Sequence, residues 1–378
     1  MNRLAIVSTH PIQYNAPLFR MLAEESCVHL KVFYTRKAED VRFDPDFGQN
    51  VVWDVPLTEG YTHESFGASS RQGLAALLSS IEAFRPKAIL VYGWNFPGHF
   101  KVMRHFRGTI KVWFRGDSTL IDPMPLWKKA LRRMWLTWVY RHIDLAFYVG
   151  SANKRYFEWA GLSEDQFVLA PHAVDNEYFM RDDEAKRAQA LELRQSLGIS
   201  PTAAVFLFVG KLEPKKQPVQ LARAFLQLSR DEPNREMHLV YIGTGVLDKQ
   251  LKTEFGGIDN IHMLGFINQS KMPIHYRLGN FVCLPSIGPG ETWGLVINEA
   301  MACGCYGVVS NRVGCSEDMI TDESVGAVVL HSTEDAIASA LRNALSINSN
   351  RETIQKHVAR WSFDEIARKM LEELHRLS

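Results

Sequence analysis

Short runs of uninterrupted apolar residues recur along this chain, spaced so that one amphipathic segment fits between each pair. In the first half they are "LAIVST" (4–9), "HLKVFYT" (29–35), "AILVYG" (88–93), "IKVWFRG" (110–116), "LAFYVG" (145–150) and "FVLAPHAV" (167–174). In the second half they are "AVFLFVG" (204–210), "MHLVYIG" (237–243), "IHMLGF" (261–266), "FVCLPS" (281–286), "YGVVS" (306–310) and "GAVVL" (326–330). A strand with one wet face alternates polar and apolar residues. A strand that is apolar throughout is buried on both faces, as in a parallel sheet covered by helices on either side. The α/β class follows.

At 378 residues the chain exceeds what one hydrophobic core ordinarily serves, so two domains are expected. The polar stretch "RDDEAKRAQALELRQSLGISPT" (181–202) separates the two series of strands. We therefore expect doubly wound domains over 1–180 and 181–360. In such domains ligands bind at the C-terminal ends of the strands. The amphipathic segment from Phe363 to Leu377, within 361–378, is expected to return to the first domain.

Several classes are excluded early. The net charge of +1 gives no global field for nucleic acid. The opening "MNRLAIVSTHPIQYNAPLFR" has too short an apolar run for a signal peptide, and no long apolar stretch predicts a membrane span. A cytoplasmic location is expected, with the inner face of the membrane as the alternative. The cysteines Cys27, Cys283, Cys303, Cys305 and Cys315 fit reduced thiols, and "CGC" lacks partners at zinc-ligand spacing. No metal and no cofactor is expected.

The stretch "GETWGLVINEAMACG" (290–304) places Glu291 before a helical pattern and Glu299 inside it, with Gly304 as the stop. Eight helical residues would rise about 12 Å. Carboxylates flanking a single glycosidic bond sit closer, at roughly 5–9.5 Å. The pair therefore suits two ends of one elongated ligand. The helix start between them suits a phosphate. A nucleoside-diphosphate sugar has that layout.

"PSIGPGETWGLVINEAMACG" resembles the E-x7-E signature of the retaining, GT-B fold glycosyltransferases of family 4. The resemblance implies that Glu291 contacts the donor sugar and Glu299 the nucleotide ribose, with Thr292, Trp293, Gly294 and Leu295 lining the site. "FVGKLEPKKQ" (208–217) resembles the family's G-R-L-x-x-x-K-G. It assigns Gly210, Lys211 and Lys216 to the leaving pyrophosphate, with Lys215 a competitor for the last role. Lys211 stands where Arg is commoner and Gln217 where Gly is commoner. Gly243 and Gly245 in "YIGTGVLDKQL" are expected near the nucleotide, and Phe266 and Ile267 around the base. Tyr306 replaces the usual Pro, and Cys315 the usual second Gly.

The first domain resembles the family less. "STHPIQYNAPLF" (8–19) stands in place of a Gly-Gly loop, and puts His10 at a strand end. There it meets acceptor, pyrophosphate or transferred sugar, or serves as a structural imidazole. "VWFRGDSTL" (112–120) carries Arg115 where many members have His. Asp117 is expected to orient the acceptor hydroxyl, with Arg115 beside it, or the two form a local ion pair. Trp94 stacks on a sugar or packs. Lys101, Arg104, Arg107, Lys111, Arg115, Lys128, Lys129, Arg132, Arg133 and Arg141 face only Asp117 and Asp122 between 101 and 141. Interleaved with Trp127, Trp135, Trp138 and Tyr140, they suggest a peripheral membrane contact.

The expected activity is retaining transfer of a sugar from a nucleotide-sugar donor to a glycan or lipid-linked acceptor, in bacterial polysaccharide or glycoconjugate synthesis. The alternatives are a nucleotide-sugar epimerase or an inactive sugar-nucleotide binding protein on the same scaffold.

Overall fold

A computed structural model describes residues 2–37 and 54–377. It divides into two compact units. The first draws on residues 2–37, 55–172 and 362–377; the second comprises Asp54 and Ala173–Trp361.

The first unit holds β1 (Asn2–Ser8), β2 (Val28–Tyr34), β3 (Thr62–Ser65), β4 (Ala88–Tyr92), β5 (Lys111–Arg115), β6 (Leu145–Tyr148) and β7 (Phe167–Leu169). They form a seven-stranded sheet in the order β3-β2-β1-β4-β5-β6-β7. Every pairing is parallel. The second unit holds β8 (Ala204–Val209), β9 (Met237–Ile242), β10 (Ile261–Met263), β11 (Phe281–Leu284), β12 (Tyr306–Ser310) and β13 (Gly326–Val329). These form a six-stranded parallel sheet ordered β10-β9-β8-β11-β12-β13. Both are doubly wound, so each has one point where the strand order reverses. In the first it lies between β1 and β4, in the second between β8 and β11. Helices leave opposite faces there, and a crevice opens beyond the strand ends.

The strands form because their side chains are apolar on both faces. Val205, Phe206, Leu207 and Phe208 of β8 are fully buried, as are Leu4, Ala5, Ile6 and Val7 of β1. The edge strand β3, "THES", is exposed at every position and lies outside the apolar pattern. It pairs with β2 through the backbone, through the Lys31–Glu64 ion pair at 2.8 Å and through the Tyr34–His63 ring contact.

The division between the units falls at His172, ahead of the expected residue 180. The polar stretch after it is no linker. Residues Asp183–Ser196 form a helix of the second unit. Buried Arg194 anchors it, donating to the carbonyls of Leu278, Pro201 and Ala203 and to Asn280 Oδ1. Asp183 at its start accepts from Arg187, Arg277 and Arg351. The terminal helix Phe363–His375 belongs to the first unit. It is capped by Ser362 and buries Phe363, Ile366, Ala367, Met370 and Leu374 against β1, β7 and the helix Ala16–Glu24.

Candidate active site

The second unit gathers its candidate residues at the ends of β8 and β11, on either side of the reversal. After β11 the chain runs through Ser286 and Gly290 to Glu291. It then enters the helix Leu295–Ala302 at Gly294, whose φ of 97° favours glycine. The Glu291–Trp293 turn is pinned from behind: the Gly314 and Cys315 N–H groups donate to the carbonyls of Glu291 and Trp293, both at 3.0 Å. After β8 the chain turns at Gly210 into the short helix Pro214–Lys216.

These two loops meet through one ion pair. Lys216 Nζ lies 3.0 Å from Glu291 Oε2. Ser286 Oγ donates to the same oxygen at 3.2 Å. Lys215 is turned away and pairs with Glu213 at 3.1 Å, so Lys216 is the lysine brought to the glutamate. Gln217 adopts φ 55°, a left-handed conformation that accounts for glycine being commoner there. Its side-chain amide donates to the carbonyls of Pro285 and Ser332.

Glu299 is 3% exposed. Gln269 Nε2 donates to its Oε1 at 2.9 Å, and the Tyr276 hydroxyl donates to its Oε2 at 2.5 Å. The two donors fix the orientation of the Glu299 carboxylate. Gln269, Tyr276 and Ser286 were not singled out from sequence. Gln269 and Tyr276 lie 30 and 23 residues from the glutamate they hold, whereas Ser286 is only five residues before Glu291.

The glycines of 243–245 serve close packing of two loops. A Cβ on Gly243 would lie 2.0 Å from the Gly210 carbonyl oxygen, and one on Gly245 would lie 2.6 Å from that of Leu212. Hydrogen bonds from Gly210 N–H to Ile242 O and from Leu212 N–H to Thr244 O lock the pair. Phe266 and Ile267 follow β10 at the same sheet edge and are half-buried, as are Lys211, Thr292 and Leu295. Trp293 corrects the expectation that it lines the site. It is 3% exposed, and its indole N–H donates to Asn298 Oδ1 at 2.8 Å. The ring is part of the core, and its polar edge has found an internal acceptor. Tyr306 and Cys315, the two substituted positions, are also buried.

The strand ends of the first unit carry the remaining candidates. His10 follows β1, with Nδ1 2.9 Å from Thr9 Oγ1. Burial and nearby Arg36 hold its imidazole below the usual range. Asp117 follows β5 and acts electrostatically on Arg115 and on His172. Arg115 is buried, and donates through Nη1 and Nη2 to the carbonyls of Ala170 and Pro171 at 2.6 and 3.0 Å. Its guanidinium braces the chain after β7 instead of projecting toward an acceptor. His172, on that braced segment, was missed from sequence. Burial and the adjacent guanidinium lower its pKa to about 4. The Trp94 ring packs toward Trp135, 6.3 Å between centroids. Buried His99 bonds Thr35 Oγ1 at 3.1 Å and donates to Gly93 O at 2.9 Å, and burial lowers its pKa to about 4.

Residues 189–361 match the family model for glycosyl transferases group 1. The match covers most of the second unit. A D-inositol 3-phosphate glycosyltransferase from Catenulispora acidiphila is 32% identical over 188 residues, 46% of this chain and 43% of that protein. One from Saccharomonospora viridis is 34% identical over 163 residues, 40% of this chain and 37% of that protein. The matches thus span less than half the length of these curated relatives. Among solved structures, sucrose-phosphate synthase from Thermosynechococcus elongatus superposes with a TM-score of 0.72 at 17% identity, covering 100% of this chain and 99% of that one. The Anabaena protein HepE, solved in complex with UDP and glucose, superposes with a TM-score of 0.71 at 15% identity, covering 100% of both chains. At such identities the likeness establishes the fold, which is GT-B. The matched segment contains Glu291, Glu299 and Lys216. No helix among the described residues is long and apolar enough to cross a membrane.

Proposed function

We propose that the protein is a retaining hexosyltransferase that moves a sugar from a nucleoside-diphosphate sugar to a glycan or lipid-linked acceptor. The observation that carries this reading is the ion pair of Lys216 and Glu291 beside the start of the Leu295–Ala302 helix, with Glu299 held further along that helix. A cation, a helix N-terminus and two separated carboxylates match a pyrophosphate flanked by two polyhydroxyl groups. The UDP and glucose bound by HepE support a donor of this class.

In the proposed reaction the bond from the anomeric carbon to the leaving phosphate oxygen breaks. The acceptor hydroxyl oxygen forms its bond on the same face, and its proton passes to the departing phosphate. Negative charge on that phosphate grows toward the transition state. Lys216 and Lys211 stabilise it more there than in the ground state. Glu291 orients the sugar through its hydroxyls and fixes the Lys216 ammonium. Glu299 accepts from the ribose. The base would lie against Phe266 and Ile267, and His10 and Asp117 would serve the acceptor side. No metal or cofactor enters this scheme. A setting in bacterial polysaccharide or glycoconjugate synthesis, in the cytoplasm, belongs to the same reading, as does a peripheral membrane contact within residues 101–141.

The test is a thermal-shift screen against UDP, GDP, ADP, CMP and their sugar conjugates, since a ligand of the native state raises Tm by mass action. A shift with one nucleoside diphosphate that disappears in Glu299→Ala supports the donor site. Absence of any shift counts against it. Sugar transfer to an added acceptor, with retained anomeric configuration, distinguishes a transferase from an epimerase or an inactive binder.

A further inference from the structure

The helix Leu126–Tyr140 has two apolar faces. Leu136, Val139 and Tyr140 are buried in the core of the first unit. At about 100° per residue, Leu126, Trp127, Leu131, Met134 and Trp135 fall on roughly the opposite side. They are 85, 62, 58, 70 and 48% exposed, in that order. A surface helix ordinarily turns its polar side outward. Here the outward arc is a continuous apolar strip, which marks an interaction surface. The strip is firmly backed. The Trp135 ring lies 4.8 Å from Trp138, 6.3 Å from Trp94 and 6.4 Å from Phe100, centroid to centroid.

Cations bracket the strip. The same helical spacing sets Lys128 at one edge of the strip and Arg133 at the other, while Lys129 and Arg132 turn toward the Trp159 and Tyr156 rings. The segment contains no Asp or Glu. Lys128 Nζ lies 5.3 Å from the Trp127 ring centroid, and Arg132 donates to the Tyr156 hydroxyl at 3.2 Å.

We propose that this face docks the protein on an anionic lipid bilayer. Leu126, Trp127, Leu131, Met134 and Trp135 enter the boundary between headgroups and acyl chains, and the flanking cations meet lipid phosphates. Charge complementarity selects this occupant. An apolar strip with cations on both sides and no carboxylate fits a surface that is apolar beneath and anionic above. A second copy of the chain related by a two-fold axis would bring Lys and Arg against Lys and Arg, which like-charge repulsion opposes.

The experiment sediments the full chain with phosphatidylcholine vesicles and with vesicles that also contain phosphatidylglycerol, at low and high salt. The expected result is binding to the anionic vesicles alone, weakened by salt. The variants Trp127→Ser/Leu131→Ser/Met134→Ser and Lys128→Ser/Arg133→Ser should each reduce it about tenfold or more. These side chains are exposed, so an unchanged Tm verifies the fold. Nucleotide binding by the same variants is measured in parallel, so that docking and the donor site succeed or fail separately. No binding to anionic vesicles at low salt overturns the proposal. So does binding undiminished in both variants. A concentration-dependent dimer abolished by the apolar variant, without vesicle binding, assigns the strip to a second copy and overturns it as well.

Discussion

Lys216 Nζ sits 3.0 Å from Glu291 Oε2, joining the loop after β8 to the loop after β11 where the strand order of the second sheet reverses. Both side chains are mostly withdrawn from water, so neither is a freely solvated charge. Removing one leaves the other without its counter-charge, which makes their effects interdependent.

Lys216→Ala should lower the transfer rate about 10²–10³-fold, the usual scale for losing one preorganised stabilising group. Lys215→Ala, whose partner is Glu213, should cost much less. The double variant Lys216→Ala/Glu291→Ala should lose less than the product of the two single losses. Steady-state kinetics of the four proteins checks this, and equal losses at 215 and 216 would sink the assignment.

Glu299→Ala should weaken nucleoside diphosphate binding, whereas Glu291→Ala should mainly slow sugar transfer. Tyr276→Phe removes one donor to Glu299 and should weaken nucleotide binding in the same direction, by a smaller factor. Calorimetric titration with the nucleoside diphosphate separates the cases. Similar affinity losses in Glu299→Ala and Glu291→Ala would contradict the division of roles.

Gly243→Ala should destabilise the chain by about 2–4 kcal/mol, because the methyl would meet a carbonyl oxygen in a conformation unfavourable to side chains. The Cβ site is 2.0 Å from Gly210 O, and φ is 134°. Gly257→Ala, with nothing within 4 Å, is the control and should change stability little. Denaturant unfolding of both variants provides the comparison.

Stability should fall as pH drops below 6.5. His99 has a folded pKa of about 4, lowered by burial. Between those values the unfolded chain takes up a proton that the folded chain refuses. The stabilisation is complete above pH 6.5 and lost by about pH 4, on the order of 3 kcal/mol for this residue. His172 acts in the same window and direction. Melting curves between pH 4 and 8 test this, and a flat profile would refute it.

What could be read from the sequence had a local physical signature. Strands buried on both faces are apolar throughout, so β1, β8 and β11 stand out from their neighbours. The run "THES" carries no such signature, because an exposed edge strand is held by its backbone and by surface contacts such as the Lys31–Glu64 ion pair. Glu291 and Glu299 were legible because a loop, a helix start and a glycine stop frame them. Gln269 and Tyr276 were not, because what brings them to Glu299 is the fold and not their place in the chain. The internal acceptors of Arg115 and Trp293 were hidden in the sequence for one shared reason. A polar group at a strand or helix end looks the same in sequence whether it serves a ligand or satisfies a buried carbonyl or amide.

The terminal helix has a consequence for the order in which the molecule assembles. Phe363, Ile366, Met370 and Leu374 fill part of the first unit, yet they follow Ala173–Trp361 in the chain. Apart from Asp54, the described part of the second unit is that one unbroken stretch. Domains commonly fold in the order of their synthesis. Here the second unit is synthesised in full before the segment that the first unit still needs.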